Sequence, residues 1–163
     1  MTPTSSPSEL QIRPFRAGDA AAFRQLNEQW IAKYFTIEEQ DRKVLNDPEN
    51  YVLGRGGQIF MAMSDGVPLG CCALIPVEPG VYELAKMSVS EESRGRGIGR
   101  KVLEYTIAQA RELGARRLYL ETNRVLENAI HLYESVGFRR LPPESVPASP
   151  YARSDVSMEL HLI

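Results

Sequence analysis

A loop rich in arginine and glycine stands between a strand-like segment and an amphipathic one, and it constrains the fold more than any other feature. The loop reads Arg94-Gly95-Arg96-Gly97-Ile98-Gly99. Apolar residues then recur at helical spacing from Gly99 to Leu113, and Gly114 follows as a left-handed stop. Because a helix start carries free backbone N–H groups and the positive end of the helix dipole, the pattern predicts an α/β fold with a phosphate site at this junction.

Two other glycine-rich motifs are excluded. The dinucleotide fingerprint needs a glycine where Arg100 stands, and the Walker pattern needs Gly-Lys in place of Arg100-Lys101. The glycines at 97 and 99 still allow a ligand to approach closely. The side chains that add positive charge are Arg94, Arg96, Arg100 and Lys101. The alternative, a flexible turn with solvated arginines, is disfavoured by the spacing and by the position between strand and helix.

Composition limits the size and class of the protein. With 163 residues, of which 43% are hydrophobic and 25% charged, the chain is long enough for one self-sufficient core. Residues 1–8 are rich in Ser, Thr and Pro and lack the basic start and apolar run of a secretory signal. We therefore expect a disordered tail at 1–8 and a single domain at 9–163.

Charge and hydropathy exclude two classes of partner. A formal net charge of -2 and a pI near 5.8 argue against nucleic acid, which needs clustered Lys and Arg. No apolar stretch approaches the roughly 18–20 residues that cross a bilayer, so we expect a cytoplasmic protein with no membrane partner. Cys71 and Cys72 are adjacent in a strand-like run, which disfavours a disulfide between them, and no metal site is implied.

Local patterns predict the order of the elements. Asp19 is the expected cap of the first helix, and Asp65-Gly66 is typical of a hairpin turn. The loop before the last strand holds too many prolines for regular structure. The predicted strands are 11–15, 58–63, 69–75, 81–89, 118–123, 138–141 and 155–162, and the predicted helices are 20–31, 37–45, 99–113 and 126–135.

The loop and this order together resemble the GNAT superfamily of N-acetyltransferases. The cofactor loop of that family has Arg or Gln, two variable positions, Gly, one variable position, and Gly or Ala, which Arg94, Gly97 and Gly99 match. The resemblance extends from about Ile12 to Leu162. It implies a mixed, mostly antiparallel sheet of six to seven strands flanked by about four helices, and acetyl-CoA as co-substrate.

The resemblance also assigns cofactor-binding residues. It places the cofactor where the fourth and fifth strands part, near Val89 and Asn123. Asn128 is expected to contact the pantetheine arm, although it has the alternative role of starting a helix. Backbone N–H groups at 87–89 are expected to bind the thioester carbonyl. The full assigned set is Met87, Ser88, Val89, Arg94, Gly95, Arg96, Gly97, Ile98, Gly99, Arg100, Asn123 and Asn128.

Two residues are candidates for acid–base chemistry. Tyr133 lies in a segment that resembles the family's second cofactor segment, where a tyrosine approaches the thiol and can protonate it as it leaves. Its alternative role is packing against the sheet. Glu83 stands eleven positions before Arg94, as does the catalytic glutamate of the histone acetyltransferases in this superfamily, and would deprotonate the amine. Alternatively it is a solvated carboxylate or a partner of Lys86.

The resemblance places the acceptor pocket between the first helices and the late proline-rich loop. Arg153 would grip a substrate carboxylate by a two-pronged contact, and Asp155 would attract an ammonium group, which together indicate an amino-acid-like acceptor. An equally ranked alternative is that these charges tie the proline-rich loop to the sheet. The acceptor-side residues are Trp30, Lys33, Tyr34, Phe35, Tyr151, Arg153 and Asp155.

The resulting prediction is an N-acetyltransferase that moves acetyl from acetyl-CoA to a primary amine of a small molecule. Direct transfer in a ternary complex is expected, because Cys71 and Cys72 lack an evident means of thiolate activation. The alternatives are a protein or peptide N-acetyltransferase with an open groove, and a non-catalytic acyl-CoA-sensing module. The sequence leaves a homodimer open.

Overall fold

Seven strands form one sheet in the order β1-β2-β3-β4-β5-β7-β6 in the computed structural model of the chain, which describes residues 9–162. Only β4 and β5 pair in parallel among the described strands. The predicted mixed, mostly antiparallel sheet is confirmed, while the tail predicted at 1–8 lies outside the described residues. The strands are β1 (Gln11–Pro14), β2 (Gln58–Ser64), β3 (Val67–Glu78), β4 (Val81–Val89), β5 (Arg117–Thr122), β6 (Arg139–Arg140) and β7 (Val156–His161).

Helices cover both faces of the sheet. Within residues 9–162 they are α1 (Ala20–Tyr34), α2 (Glu39–Asn46), α3 (Pro48–Tyr51), α4 (Ile98–Glu112) and α5 (Glu127–Ser135). The four-residue α3 was not predicted; Pro48 ends α2 as expected but also starts α3, since proline suits the first turn of a helix. None of the helices in this part of the chain combines the length and apolar character that a bilayer crossing requires.

Turn residues behave as their backbone preferences dictate. Asp65 and Gly66 join β2 to β3 with φ of 49° and 76°, the paired positive values that a tight hairpin turn needs. Gly114, with φ of 81°, follows α4 as predicted. The prediction for Asp19 was wrong in one respect, because its carboxylate makes no capping bond to α1 and instead accepts a 2.7 Å bond from the guanidinium of Arg13.

The core consists of two apolar clusters, one on each face of the sheet. Alternation along β3 sends Cys72 and Leu74 to the cluster beneath α4 and α5, and Cys71 and Ala73 to the cluster beneath α1 and α2. Both thiols are free and fully buried. Burial raises the pKa of each thiol, that of Cys72 to about 12. The expectation of two reduced core cysteines is therefore met.

The sheet opens between β4 and β5. The two strands pair only through residues 81–83 and 117–119, whereas β5 continues to pair with β7 up to Thr122. At Lys86 the backbone of β4 takes a positive φ of 52°, beside a register shift in its pairing with β3. A bulge of this kind bends a strand. The opening thus begins just after Glu83, earlier than the predicted position near Val89 and Asn123.

Candidate active site

A cleft of about 820 Å³ occupies the opening between β4 and β5. The start of α4, one side of α5, the end of α1 and the proline-rich loop before β7 complete its walls. Of the residues expected at the catalytic, cofactor and acceptor positions, all line it except Arg96, Lys33 and Asp155. Those that do are Trp30, Tyr34, Phe35, Glu83, Met87, Ser88, Val89, Arg94, Gly95, Gly97, Ile98, Gly99, Arg100, Asn123, Asn128, Tyr133, Tyr151 and Arg153.

The glycine loop presents bare backbone to the cleft. Gly95 and Gly97 have φ of 81° and 75°, a left-handed conformation that side chains disfavour, and Gly97 is the residue from which α4 starts. A Cβ added at either position would meet no atom within 4 Å. The N–H groups of residues 95–100 donate no hydrogen bond to any described residue. Together with the helix dipole, they form an anion site.

The arginines of this loop differ in position. Arg94 lies near the phenol of Tyr34, and its interaction with the hydroxyl is the main reason why the pKa of Tyr34 is lowered. Arg100 donates a 2.7 Å bond to Ser135 at the end of α5, so its guanidinium supports the cleft wall. Arg96 is exposed and does not line the cleft, so its assignment to the cofactor site stays a prediction. Arg94 is therefore the arginine best placed to meet a bound anion.

Two residues expected on the acceptor side are engaged elsewhere. Lys33 pairs with Glu91, just before the glycine loop, at 3.0 Å. Asp155 accepts a 2.9 Å bond from the backbone N–H of Arg124 and lies 3.6 Å from its guanidinium. Neither Lys33 nor Asp155 lines the cleft. The predicted attraction of an ammonium group to Asp155 is therefore not supported.

Tyr133 on α5 lines the cleft and packs in the apolar core beneath it. It is 8% exposed, and its ring packs edge-on against Phe138 with a centroid distance of 5.9 Å. Its hydroxyl makes no hydrogen bond within residues 9–162. Burial, with a smaller contribution from Cys72, raises the pKa of Tyr133, so the phenol keeps its proton at neutral pH.

Glu83 lies on β4 at the last position that pairs with β5. Its carboxyl makes no hydrogen bond or ion pair with the described residues. Burial is the main cause that raises the pKa of Glu83 to about 7, and the negative charge of Glu121 adds to it, while Lys86 acts in the opposite direction. A half-buried carboxyl with that pKa can take a proton from an amine near neutral pH.

Sequence reasoning missed the residue at the centre of the acceptor side, Asp41 on α2. Its side chain is fully buried and accepts 2.7 Å bonds from Lys86 and from both terminal nitrogens of Arg153. Burial alone would raise the pKa of Asp41, but Arg153 and Lys86 lower it to about 2. Lys86 in turn donates a 3.0 Å bond to the hydroxyl of Tyr151. We call Asp41, Lys86, Tyr151 and Arg153 the Asp41 network.

The Asp41 network corrects the role expected for Arg153. The two-pronged contact predicted with a substrate carboxylate is made with Asp41. Asn123 donates a 2.7 Å bond to the carbonyl of Arg153, so it too holds the proline-rich loop. The only local signal at Asp41 is its bond to the N–H of Glu38, a helix capping pattern that any surface helix can carry. Nothing in the sequence around Asp41 pointed to a buried network.

A second missed residue is Glu121 on β5, which lines the cleft near Glu83. Its carboxylate accepts hydrogen bonds from the hydroxyls of Tyr119 at 3.0 Å and Ser149 at 2.8 Å.

Ser88 lines the cleft as predicted, but its hydroxyl donates to the carbonyl of Leu26, so only its backbone is free to meet a ligand.

Comparison with known proteins agrees with this geometry. Residues 22–138 match the model of the acetyltransferase (GNAT) family. An uncharacterized N-acetyltransferase of Schizosaccharomyces pombe is 27% identical over 93% of this chain and 98% of its own length. A GNAT-family acetyltransferase from Staphylococcus aureus Mu50 superposes with a TM-score of 0.87 at 21% identity, covering 95% of this chain and all of the other. A Salmonella typhimurium protein, described as an acetyltransferase with its cofactor acetyl-CoA, gives a TM-score of 0.76 at 22% identity over 94% of each chain.

The matched region contains the glycine loop, Glu83 and Tyr133. Unbonded N–H groups at residues 95–100, beside the guanidinium of Arg94, suit the pyrophosphate of coenzyme A. The open sheet beside them provides room for an extended arm. The chain therefore belongs to the GNAT family of acetyltransferases and is an acyltransferase that uses acetyl-CoA as its acyl donor.

Proposed function

We propose that this acyltransferase moves the acetyl group directly onto the primary amine of a small molecule, with both substrates bound in the one cleft. The observation that carries the proposal is the shared position of Glu83 and Tyr133. Both line the cleft, and neither side chain is tied to another described group by a hydrogen bond. An uncommitted base and an uncommitted acid in one cleft suit amine acylation.

The loop and the open edge of β4 would hold the donor. The N–H groups of residues 95–100 and the guanidinium of Arg94 would bind the pyrophosphate. The edge of β4 from Leu84 to Val89 has no strand partner on the β5 side, so its backbone is available to the pantetheine arm, as is Asn128 on α5. Acetyl-CoA itself supplies a thioester carbonyl open to attack by an amine.

Glu83 would act as the general base. An amine acceptor is protonated at neutral pH and cannot attack until it loses a proton. The pKa of Glu83, about 7, leaves about half of these carboxyls ionised at neutral pH and ready to accept that proton. The freed amine nitrogen then forms a bond to the acetyl carbon, and the carbon–sulfur bond breaks.

Tyr133 would act as the general acid toward the departing sulfur. An ordinary thiol has a pKa near 8.5, below that of a buried phenol. A proton that Tyr133 donates to sulfur would therefore return to the tyrosine unless the tyrosine gains another. The acylated nitrogen supplies that proton when it loses its second one. With that relay the products are the amide and the free thiol, and the enzyme ends in its starting protonation state once Glu83 releases its proton to solvent.

Direct transfer is supported by the state of the cysteines. Cys71 and Cys72 are fully buried, neither lines the cleft, and burial raises the pKa of both thiols. A nucleophilic thiol needs access to the substrate and a lowered pKa. Intersecting initial-velocity lines with two varied substrates are expected, and parallel lines would contradict direct transfer.

The cytoplasmic location and the homodimer stay predictions from the sequence.

The first experiment measures thiol release from acetyl-CoA with amino acids, polyamines, aminoglycosides, aryl-alkyl amines and short peptides. We expect acceptor-dependent release that falls about 10²-fold in Tyr133→Phe, the lower end of general acid catalysis, with acetyl-CoA affinity unchanged. Tyr105→Phe is the matched control, because Tyr105 packs against Phe60 away from the cleft. Tight binding without release on any amine would indicate a sensing module, and preference for peptides would indicate a peptide acetyltransferase.

A further inference from the structure

The charges on the acceptor side of the cleft carry an inference about the acceptor. This inference rests on the proposed function and narrows it. We propose that the acceptor is a primary amine with an apolar or aromatic body and no carboxylate. The grounds are the balanced charges of the Asp41 network together with Glu38, the carboxyls of Glu83 and Glu121, which form no ion pair with the described residues, and the apolar wall of the same cleft.

Two of the cations that line this side of the cleft, Lys86 and Arg153, are already paired with carboxylates. Lys86 and Arg153 each lie 2.7 Å from Asp41, and Arg153 also lies 3.4 Å from Glu38. Two cations thus meet two carboxylates within one buried group. Both terminal nitrogens of Arg153 donate to Asp41, so they are not available for a two-pronged contact with a substrate carboxylate. A bound amino acid that used Arg153 would have to break one of these contacts.

Neither of the carboxyls that line the same side forms an ion pair with a described residue, although Lys86 lies near enough to Glu83 to act against the rise in the pKa of that carboxyl. Glu121 accepts hydrogen bonds from two neutral hydroxyls, those of Tyr119 and Ser149. Glu83 has no ion-pair partner among the described residues. A substrate ammonium would be attracted to this pair of carboxyls, and a substrate carboxylate would be repelled, all the more strongly because the cleft is partly shielded from water.

The remaining wall is apolar and largely aromatic. Side chains from α1, the following turn, α2, α3 and β3 form it: Trp30, Phe35, Val44, Tyr51 and Ile75. Trp30 and Phe35 pack edge-on with ring centroids 6.4 Å apart. Burying an apolar substrate body here gains about 25 cal/mol per Å² removed from water. A polar or charged substituent would gain no comparable free energy from burial against this wall.

Arg55 is the other cation on this side among the described residues. It is exposed, and its guanidinium stacks over the ring of Tyr51 with 5.1 Å to the centroid. No carboxylate of the described residues pairs with it. Arg55 is the residue through which a substrate carboxylate would bind if the proposal were wrong, so Arg55→Gln belongs in the test.

The test compares three acceptors that share one ring and one amine: phenethylamine, phenylalanine amide and phenylalanine. With acetyl-CoA as donor, we expect kcat/KM to be highest for phenethylamine and about 10²-fold lower for phenylalanine, with the amide between them. Equal or faster turnover of phenylalanine, lost in Arg55→Gln, would overturn the inference and leave the proposed function intact. Acetyl-CoA binding with no release on any amine would overturn both.

A variant separates the charge of Glu121 from its structural role. In Glu121→Gln we expect the KM for phenethylamine to rise about 10-fold and the preference over phenylalanine to shrink by a similar factor, while the KM for acetyl-CoA stays constant. Glu134→Gln is the matched control, since Glu134 is exposed on α5 and does not line the cleft. An unchanged preference, or an equal rise in both KM values, would contradict the assignment.

Discussion

The two halves of the cleft are built in different ways. The cofactor half is a run of consecutive residues, 94–100, whose ligand-binding groups are mostly backbone N–H groups at the start of α4. The acceptor half depends on side chains that meet from distant parts of the chain, as when Arg153 bonds to Asp41 across 112 positions. A backbone site needs only the right local conformation, whereas a side-chain site needs the whole fold.

This difference predicts how each half responds to substitution. In the cofactor half, changes in backbone conformation should matter most. In the acceptor half, isosteric changes that remove a single charge should have large effects, because a buried charge then loses its partner.

Glu83→Gln should have the largest effect on catalysis. Loss of a general base lowers the rate typically 10²- to 10⁴-fold, so we expect a fall of that size in kcat/KM for the best amine, with acetyl-CoA affinity unchanged. Glu78→Gln, at the exposed end of β3, is the control. A fall of less than about 5-fold would show that another group takes the proton.

The pH dependence of the unsubstituted enzyme tests the same residue. Because the pKa of Glu83 is raised to about 7, kcat/KM should decrease as pH falls through that value, and Glu83→Gln should lack this step. The raised pKa also means that the folded state favours the protonated form. Stability from this group is complete below pH 4.5 and is lost as pH rises to about 7, so Glu83→Gln should be the more stable protein at pH 8 by roughly 1–3 kcal/mol.

Asp41→Asn should have the largest effect on stability. It leaves the buried Lys86 and the half-buried Arg153 without their shared counter-charge, which typically costs about 3–5 kcal/mol in the free energy of unfolding. Glu39→Gln removes a carboxylate from the exposed side of the same helix and should change it by less than about 0.5 kcal/mol. Urea denaturation at pH 7 measures both.

The Asp41 effect should itself depend on pH. The lowered pKa of Asp41, about 2, means that its stabilising contribution is present above the ordinary pKa of 3.8 and is lost as pH falls toward 2. The difference between the unsubstituted protein and Asp41→Asn should therefore narrow between pH 4 and pH 2. A difference that stays constant over this range would show that Asp41 acts by packing alone.

Gly97→Ala should have a smaller effect and tests the backbone half. A side chain at a left-handed φ costs about 1–2 kcal/mol, and any relaxation turns the loop N–H groups away from their common target. We expect about 10-fold weaker acetyl-CoA binding and slightly lower stability. Gly99→Ala is the control for strain, since its φ is not positive and its Cβ would make ordinary contacts of 3.5 and 3.6 Å with Leu132 and Val89. Lower stability in Gly99→Ala than in Gly97→Ala would contradict the role assigned to φ.

The sequence by itself determined the order of the strands and of the four longer helices, the glycine loop and the candidates Glu83 and Tyr133. These signals are local: helical spacing from 99 to 113, the turn at Asp65-Gly66, and glycines where the backbone φ is positive. Such features follow from the conformational limits of each residue and its near neighbours. A motif of this kind can therefore be recognised before the fold is known.

Only the tertiary structure decided what the charged residues of the acceptor half do. It joined Asp41 on α2 to Lys86 on β4 and Arg153 in the late loop, and it placed Glu121 near Glu83 in one cleft. It also showed that the sheet opens just after Glu83, beside the bulge at Lys86, and not near Val89 as the sequence predicted. Burial and pairing of a charge depend on which distant side chain arrives beside it, and residue type and spacing along the chain do not contain that information.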